Sequence, residues 1–146
     1  MKNLILIIIS FFFSLRICAI EPDSILGTYW SHKKDAQFLV YKENSFYFAK
    51  LTWLIKPYTD IHNPDETLRA RPLLGLIVGK DFIFNGIDTW KNGEFYDPHS
   101  GKTYKCYIIL EDNDNEMHLH CYVFISLFGK TEILIRANSS EIKKSQ

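Results

Sequence analysis

The sequence predicts an all-β chain whose antiparallel strands follow one another as hairpins, and three observations support that prediction. Apolar and aromatic residues come in short runs, turn residues such as "KEN", "VGKD", "KNG" and "DND" separate the runs, and no long stretch repeats with the 3.6-residue period of a helix. A single domain built this way is a sandwich or a closed barrel. We favour an up-and-down barrel of about 8–10 strands, because closure leaves no unpaired edge strand.

The first 19 residues are typical of a secretory signal peptide. Lys2 precedes the apolar run 4–13, and Ile17-Cys18-Ala19 resembles a cleavage site. The run is shorter than the roughly 20 apolar residues that span a bilayer. We therefore expect a periplasmic or secreted protein with one barrel domain at residues 20–138 and a polar, frayed tail at 139–146. An uncleaved signal or lipidation at Cys18 is the alternative, and either would add membrane contact.

The strands are expected in order along the mature chain, and each is bounded by turn residues. They are placed at residues 27–31, 37–41, 45–55, 73–78, 81–84, 87–90, 104–110, 117–126 and 130–136. The segment 56–72 interrupts them, since it is rich in proline and charge and longer than an ordinary hairpin loop. Asn63 and Pro64 suggest one helical turn inside it. Long loops of this kind often carry function.

Charge and motif spacing argue against a nucleic-acid or nucleotide partner. Without residues 1–19 the chain keeps 15 basic and 17 acidic side chains, a formal charge of −2, and no basic stripe. The segment Gly101-Lys102-Thr103 resembles the end of a phosphate-binding loop. Such a loop needs a glycine at position 96, where this chain has Tyr96, and a helix afterwards, where this chain has β-forming residues. The segment is better explained as a turn.

Cys106 and Cys121 remain in the mature chain and are candidates for a disulfide. A hairpin centred between Asn113 and Asp114 places the two cysteines directly opposite each other. A four-residue loop closed by Glu111 and Glu116 would put them in a narrow pair that favours the bond, whereas a two-residue turn would put them in a wider pair. Two buried thiols are the alternative.

Three motifs resemble the exported bacterial domain-of-unknown-function family number twenty-one forty-seven, namely "DIHNPDETLRARPLLGL", "GEFYDPHSGKTY" and "LFGKTEILIR". The resemblance covers residues 27–136. The matching positions are Asp60, Asn63, Pro64, Leu68, Arg69, Arg71, Pro72, Leu73, Gly75, Gly93, Tyr96, Asp97, Pro98, Gly101, Tyr104, Gly129, Thr131 and Arg136.

The resemblance implies a lipocalin-like (calycin) barrel, which in related proteins encloses apolar ligands. The chain departs from the lipocalin pattern at Tyr29, which stands where lipocalins have tryptophan; Arg136 is expected to cover an aromatic face and close the barrel bottom. One face of strand 45–55, with Tyr47, Ala49, Leu51, Trp53 and Ile55, is assigned to the interior. The candidate ligand-binding residues are Tyr29, Tyr47, Leu51, Trp53, Tyr104, Ile108, Leu119 and Val123.

The polar residues offer a catalytic interpretation and a structural one. Asp60, Asn63, Arg69, Arg71, Tyr96, Asp97 and Arg136 form the polar set of the family motifs, and Asp65 and Glu66 lie among them. Of these residues, Asp60, Asp65, Glu66, Arg69, Arg71 and Asp97 could form an acid–base site of paired carboxylates, but we favour an ion-pair and capping network that fixes the long loop over one barrel end. His118 and His120 point to one face and supply too few metal ligands. No catalytic motif, metal or cofactor is expected.

The function expected from the sequence is binding of a small apolar or amphipathic ligand inside the barrel. The first alternative is an envelope module with a packed barrel, in which the loop 56–72 and aromatic residues such as Tyr107 and Tyr122 contact another protein. An enzyme of unknown reaction is the third hypothesis.

Overall fold

The computed structural model describes residues 20–123 and 129–144. Within them the chain forms eight strands, and each pairs antiparallel with the next. Their bounds are Gly27–Trp30 (β1), Ala36–Glu43 (β2), Phe46–Leu54 (β3), Ile77–Phe84 (β4), Thr89–Asp97 (β5), Lys102–Glu111 (β6), Glu116–Tyr122 (β7) and Gly129–Arg136 (β8). Pairing of β8 with β1 closes the barrel, as the sequence predicts. The predicted signal peptide and the end of the predicted strand 117–126 lie outside the described residues.

The two barrel ends differ in construction. One end, called the Arg136 end, carries the 3-10 helix Pro22–Ile25, the turn between β6 and β7, and Arg136. The other, called the loop end, carries residues 55–76, which contain the 3-10 helix Glu66–Leu68, and the turn between β5 and β6. Neither helix of the described chain is long and apolar enough to cross a membrane.

Three of the predicted strands have wrong bounds, mainly because turn-forming residues lie inside continuous strands. The segments 73–78 and 81–84 were expected as separate strands, but residues 73–76 belong to the long loop and β4 joins residues 77–84 in one strand, within which Asp81 takes a positive φ of 63°. The segment 87–90 was expected to end at "KNG", but β5 continues through Asn92 and Gly93. A Cβ on Gly93 would overlap the Phe82 ring, so glycine here makes room for a core side chain.

The core is divided between the two barrel ends. The larger cluster fills the Arg136 end with Ile25, Tyr29, Val40, Tyr47, Phe82, Trp90, Cys106, Ile108, Leu110, Met117, Leu119 and Leu134. The smaller cluster lies at the loop end and consists of Ala36, Leu51 and Val78, against which Leu54, Leu73 and Leu76 pack. Burial of these apolar side chains is the main source of stability.

The tail, expected to fray, lies against the outside of the barrel as far as the structure describes it. The Gln37 amide donates to the Glu141 carbonyl oxygen at 2.8 Å and accepts from the Lys143 N–H at 2.8 Å. Gln37 is fully buried as a result. The tail therefore satisfies a polar side chain that would otherwise face solvent from β2.

Candidate functional site

Arg136 closes its end of the barrel, as the sequence predicts. Its guanidinium carbon lies 4.7 Å from the centre of the Tyr29 ring. Its three nitrogens donate to the carbonyl oxygens of Ser24 at 2.6 Å, Leu26 at 2.9 Å and Asp114 at 2.7 Å. Burial raises the pKa of Tyr29 to about 12, and its hydroxyl donates to the Ile25 carbonyl oxygen. With these donors engaged, Arg136 serves the fold, and it lies at the end opposite the long loop.

The candidate ligand-binding residues fall into three groups. Tyr29, Tyr47, Leu51, Ile108 and Leu119 are buried in the two core clusters, and Tyr104 packs half-buried against the larger one. The first five contact other core side chains, so the Arg136 end and the middle of the barrel are filled by the protein itself.

The structure does not place three residues in the interior, where the sequence had assigned them, namely Trp53, Ile55 and Val123. The pairing of β2 with β3 shifts between Gln37 and Phe38, and after this irregularity it is Leu54 that packs on the core. The Trp53 ring instead meets the Trp30 ring edge-on at 5.5 Å. Ile55 is 56% exposed and Val123 is 49% exposed. A β-bulge reverses the inward and outward alternation, and sequence alternation alone does not reveal it.

Asp60 is the centre of a polar cluster at the loop end. Its carboxylate is fully buried and accepts hydrogen bonds from the Tyr96 hydroxyl at 2.5 Å and the Asn63 amide at 2.8 Å. The Arg71 guanidinium lies on the same carboxylate, with Nε at 2.9 Å and Nη2 at 2.7 Å. A buried charge needs such partners, because an unpaired carboxylate would be strongly destabilising.

The protonation state of Asp60 follows from these contacts. Burial by itself would raise the pKa of Asp60, but the hydrogen bonds from Tyr96, Asn63 and Arg71 outweigh it, so the pKa is lowered. Burial and the neighbouring carboxylate raise the pKa of Tyr96. At neutral pH the Asp60 carboxylate is therefore charged and the Tyr96 phenol is protonated, and both lie beside the Arg71 guanidinium. This arrangement keeps a charge buried in the fold and offers no free base.

The cluster joins the long loop to the turn between β5 and β6. The Arg69 Nε donates to the Asn63 carbonyl oxygen at 2.9 Å, and the Asp60 N–H donates to the Arg71 carbonyl oxygen at 3.0 Å. Gly101 has a positive φ of 67°, and a Cβ there would collide with the His62 carbonyl group. Glycine at this position thus lets the turn approach the loop.

Most of the polar set named from the family motifs comes together, and two members stand apart. Asp60, Asn63, Arg69, Arg71 and Tyr96 form one network, as the ion-pair interpretation expects. Asp97 instead accepts hydrogen bonds from the His99 N–H and the Ser100 hydroxyl within its own turn, and Arg136 lies at the far end of the barrel.

An apolar cleft opens beside this network at the loop end. Its volume is about 190 Å³. It is lined by Trp53, Leu54, Lys56, Pro57, Tyr58, Pro72 and Leu74. The Leu73 N–H donates to the Tyr58 carbonyl oxygen at 2.9 Å and holds the two sides of the loop together. Of these lining residues, only Trp53 was named from the sequence as a candidate ligand-binding residue. The sequence signal that could have indicated the others was the pair of prolines, Pro57 and Pro72, at the two ends of the loop.

The histidine pair on β7 is engaged with protein groups. The His118 Nε2 lies 3.0 Å from a Glu116 oxygen, and the His120 Nδ1 lies 2.7 Å from the Thr131 hydroxyl. Burial and the adjacent His118 lower the pKa of His120. Across residues 20–123 and 129–144, no group of three or more His, Cys, Asp or Glu side chains is placed to hold a metal ion.

Comparison with known proteins gives a family and a fold. A family model described as an uncharacterized protein conserved in bacteria (DUF2147) matches residues 27–136. The structure is similar to protein HP1028 of the human pathogen Helicobacter pylori, described as belonging to the lipocalin family, with a TM-score of 0.71 and 23% identity. That likeness covers 80% of this chain and 85% of the other. No curated protein matches.

Proposed function

Because this chain belongs to the bacterial DUF2147 family and has a lipocalin-like barrel, we propose that it binds a small apolar or amphipathic molecule at the loop end. The observation that carries the proposal is the apolar cleft of about 190 Å³ between the end of β3 and the long loop. Side chains occupy the Arg136 end, and we therefore assign the ligand to the cleft at the loop end.

The lining of the cleft suits a ligand with an apolar body and a polar end. Trp53 and Tyr58 provide rigid aromatic surface, and Pro57 and Pro72 provide walls that lose little freedom when a ligand binds. Lys56 stands on the rim, where an ammonium group favours a negatively charged end of the ligand. Pockets for drug-sized ligands are typically about 300–1,000 Å³, so this cleft suits a compact molecule or one arm of a longer one.

The disulfide and the bacterial family support an extracytoplasmic setting. The bond between Cys106 and Cys121 suits an oxidising compartment such as the periplasm. A protein exported to the bacterial envelope encounters amphipathic molecules there, and this is the setting in which we propose that it works.

Binding is tested with 8-anilinonaphthalene-1-sulfonate, an apolar fluorophore with one negative charge. We expect one molecule to bind per chain, and Tyr58→Ala and Leu74→Glu to weaken binding about tenfold, since each removes or charges part of the apolar lining. Ile87→Ala is the matched control, because Ile87 is exposed at the Arg136 end. Equal binding by all variants would overturn the proposal, as would protein purified from its own envelope that carries no ligand and binds no probe.

Exposed apolar residues on the loop favour protein contact as a second candidate function. Ile61 is 59% exposed and Leu68 is 37% exposed, and both lie outside the cleft lining. If the loop docks on a protein, photo-crosslinkers at these two positions capture one stoichiometric partner and the cleft stays empty. This candidate function is contradicted if the crosslinkers at these two positions capture no partner. It is also contradicted if a crosslinker at Ile87 captures the partner equally well.

A further inference from the structure

The outer face of β2, β3 and β4 carries an apolar patch that neither the fold nor the cleft uses. Leu39 is 36% exposed, Phe46 39%, Ile77 45% and Ile83 36%. Between them the rings of Tyr41 and Phe48 stack with their centres 5.5 Å apart. Folded monomers rarely expose a contiguous apolar area of this kind without an interaction to cover it.

Strand register shows that the patch consists of three adjacent rows. Leu39 pairs with Lys50, which pairs with Ile77, and this is the first row. Tyr41 pairs with Phe48 in the second. Glu43 pairs with Phe46 in the third, and the pairing of Tyr47 with Phe82 brings Ile83 alongside Phe46. Apolar and aromatic side chains therefore lie in all three rows, with Lys50 in the first row, Glu43 in the third, and the exposed Lys80 and Asp81 of β4 between Ile77 and Ile83.

The patch has opposite charges in its two outer rows. Lys50 lies in the first row and Glu43 in the third, and the stacked aromatic pair lies between them. Within the described chain, neither side chain takes part in an ion pair. Burial and the Glu43 carboxylate raise the pKa of Tyr41, in keeping with a carboxylate that lies on this face.

We propose that two copies of this chain associate face to face through the outer surface of β2, β3 and β4. A two-fold axis that crosses the strands along the Tyr41–Phe48 row lays the first row of one copy on the third row of the other. Lys50 of each copy then comes within reach of Glu43 of the second copy, and the apolar residues of both copies cover one another. Such self-complementarity is what an isologous dimer requires.

The arrangement of charge favours a second copy over an anionic bilayer. A negatively charged membrane would attract Lys50 and repel Glu43 in the same patch. A two-fold interface satisfies both charges at once and does so twice, because each dimer contains two Lys50–Glu43 pairs.

The dimer is tested by sedimentation equilibrium of the mature chain over a hundredfold range of concentration. We expect a monomer–dimer equilibrium that Ile77→Glu abolishes, whereas Ile87→Glu, an exposed residue away from the patch, leaves it unchanged. Lys50→Glu and Glu43→Lys should each raise the dimer dissociation constant about tenfold, since each creates two like-charge contacts. The double variant Lys50→Glu with Glu43→Lys should restore the original constant.

Rescue by the double variant separates a second copy from every other occupant. A monomer at all concentrations overturns the proposal, and so does a double variant that dimerises no better than the single ones. Monomeric protein that binds vesicles of anionic phospholipid through this face would show a membrane occupant instead and would also overturn it. Far-UV circular dichroism of each variant confirms that the barrel is folded.

Discussion

Asp60 is the residue whose loss should be most costly at the loop end. Its buried carboxylate accepts from Tyr96, Asn63 and Arg71. Asp60→Asn leaves Arg71 without its counter-charge and turns one acceptor into a donor, so we expect the free energy of unfolding to fall by about 2–3 kcal/mol. Urea denaturation at pH 7 measures this. Glu66→Gln is the control, because Glu66 forms an exposed pair with Arg69 that contributes well under about 1 kcal/mol.

The pH dependence of stability provides a separate check on the same residue. The pKa of Asp60 is lower in the folded chain than its ordinary value of about 3.9. The carboxylate therefore stabilises the fold above pH ~4, and this contribution is lost as the pH falls through the folded-state pKa. Stability of Asp60→Asn should decline less steeply below pH ~4 than that of the parent. Parallel declines would contradict the assigned charge.

For single residues, the sequence predicted which side chains interact better than it predicted where they lie in the barrel. The family motifs named Asp60, Asn63, Arg69, Arg71 and Tyr96 as one polar set, and the structure unites them. The set also included Arg136, which was expected to cover an aromatic ring and close the barrel bottom, and it does so at the opposite end. Trp53 was misplaced, since a register shift between β2 and β3 reverses the alternation.

The hairpin β6–β7 is the element that the sequence predicted most closely, and the disulfide follows from it. Cys106 lies opposite Cys121, and Glu111 lies opposite Glu116 across a four-residue loop. The cysteine Cα atoms are 4.2 Å apart, which corresponds to the narrow class of antiparallel pair. Asp112, Asn113 and Asp114 all take positive φ, which Asn and Asp tolerate better than most residues.

Removing the disulfide should lower stability without changing the fold. The bond closes a loop with a sequence separation of 15 residues, for which chain entropy gives about 3 kcal/mol as an upper figure. Replacing Cys106 and Cys121 together by alanine should therefore lower the urea midpoint and leave the far-UV spectrum of a β-protein intact. The single variant Cys106→Ala should lose as much stability as the double variant, since the remaining Cys121 has no partner for the disulfide. An unchanged midpoint in the double variant would contradict the expected contribution.

Strands β4 and β5 show why element boundaries were harder to predict. Both contain turn chemistry, "GKD" in β4 and "KNG" in β5, yet neither reverses direction there. In β5 the register shifts between Trp90 and Gly93, and Gly93 makes room for the Phe82 ring. The packing of a distant side chain decides the local conformation, and a short window of sequence contains no information on that side chain.

Closure of the barrel was predictable for the whole molecule, whereas the division of its interior was not. Removal of edge strands favours a closed barrel for any chain of successive hairpins. Whether the barrel holds side chains or a ligand depends on how far each aromatic ring reaches. Here Tyr29, Phe82 and Trp90 fill the Arg136 end, and the loop end has the smaller core cluster and the cleft.

This division predicts two separate modes of opening, which native-state hydrogen exchange measures. The amides of Asp60 and Leu73 bond only across the loop, so they should exchange through local opening that depends weakly on denaturant. The amides of Ile108 and Leu119 lie in the disulfide-linked hairpin and the larger core, so they should require global unfolding and depend strongly on denaturant. Reduction of the disulfide acts mainly on the unfolded chain, and should therefore accelerate the hairpin amides and leave the loop amides unchanged. Equal acceleration of both sets would mean that the loop opens only when the barrel unfolds, and the cleft would then be a rigid part of the fold.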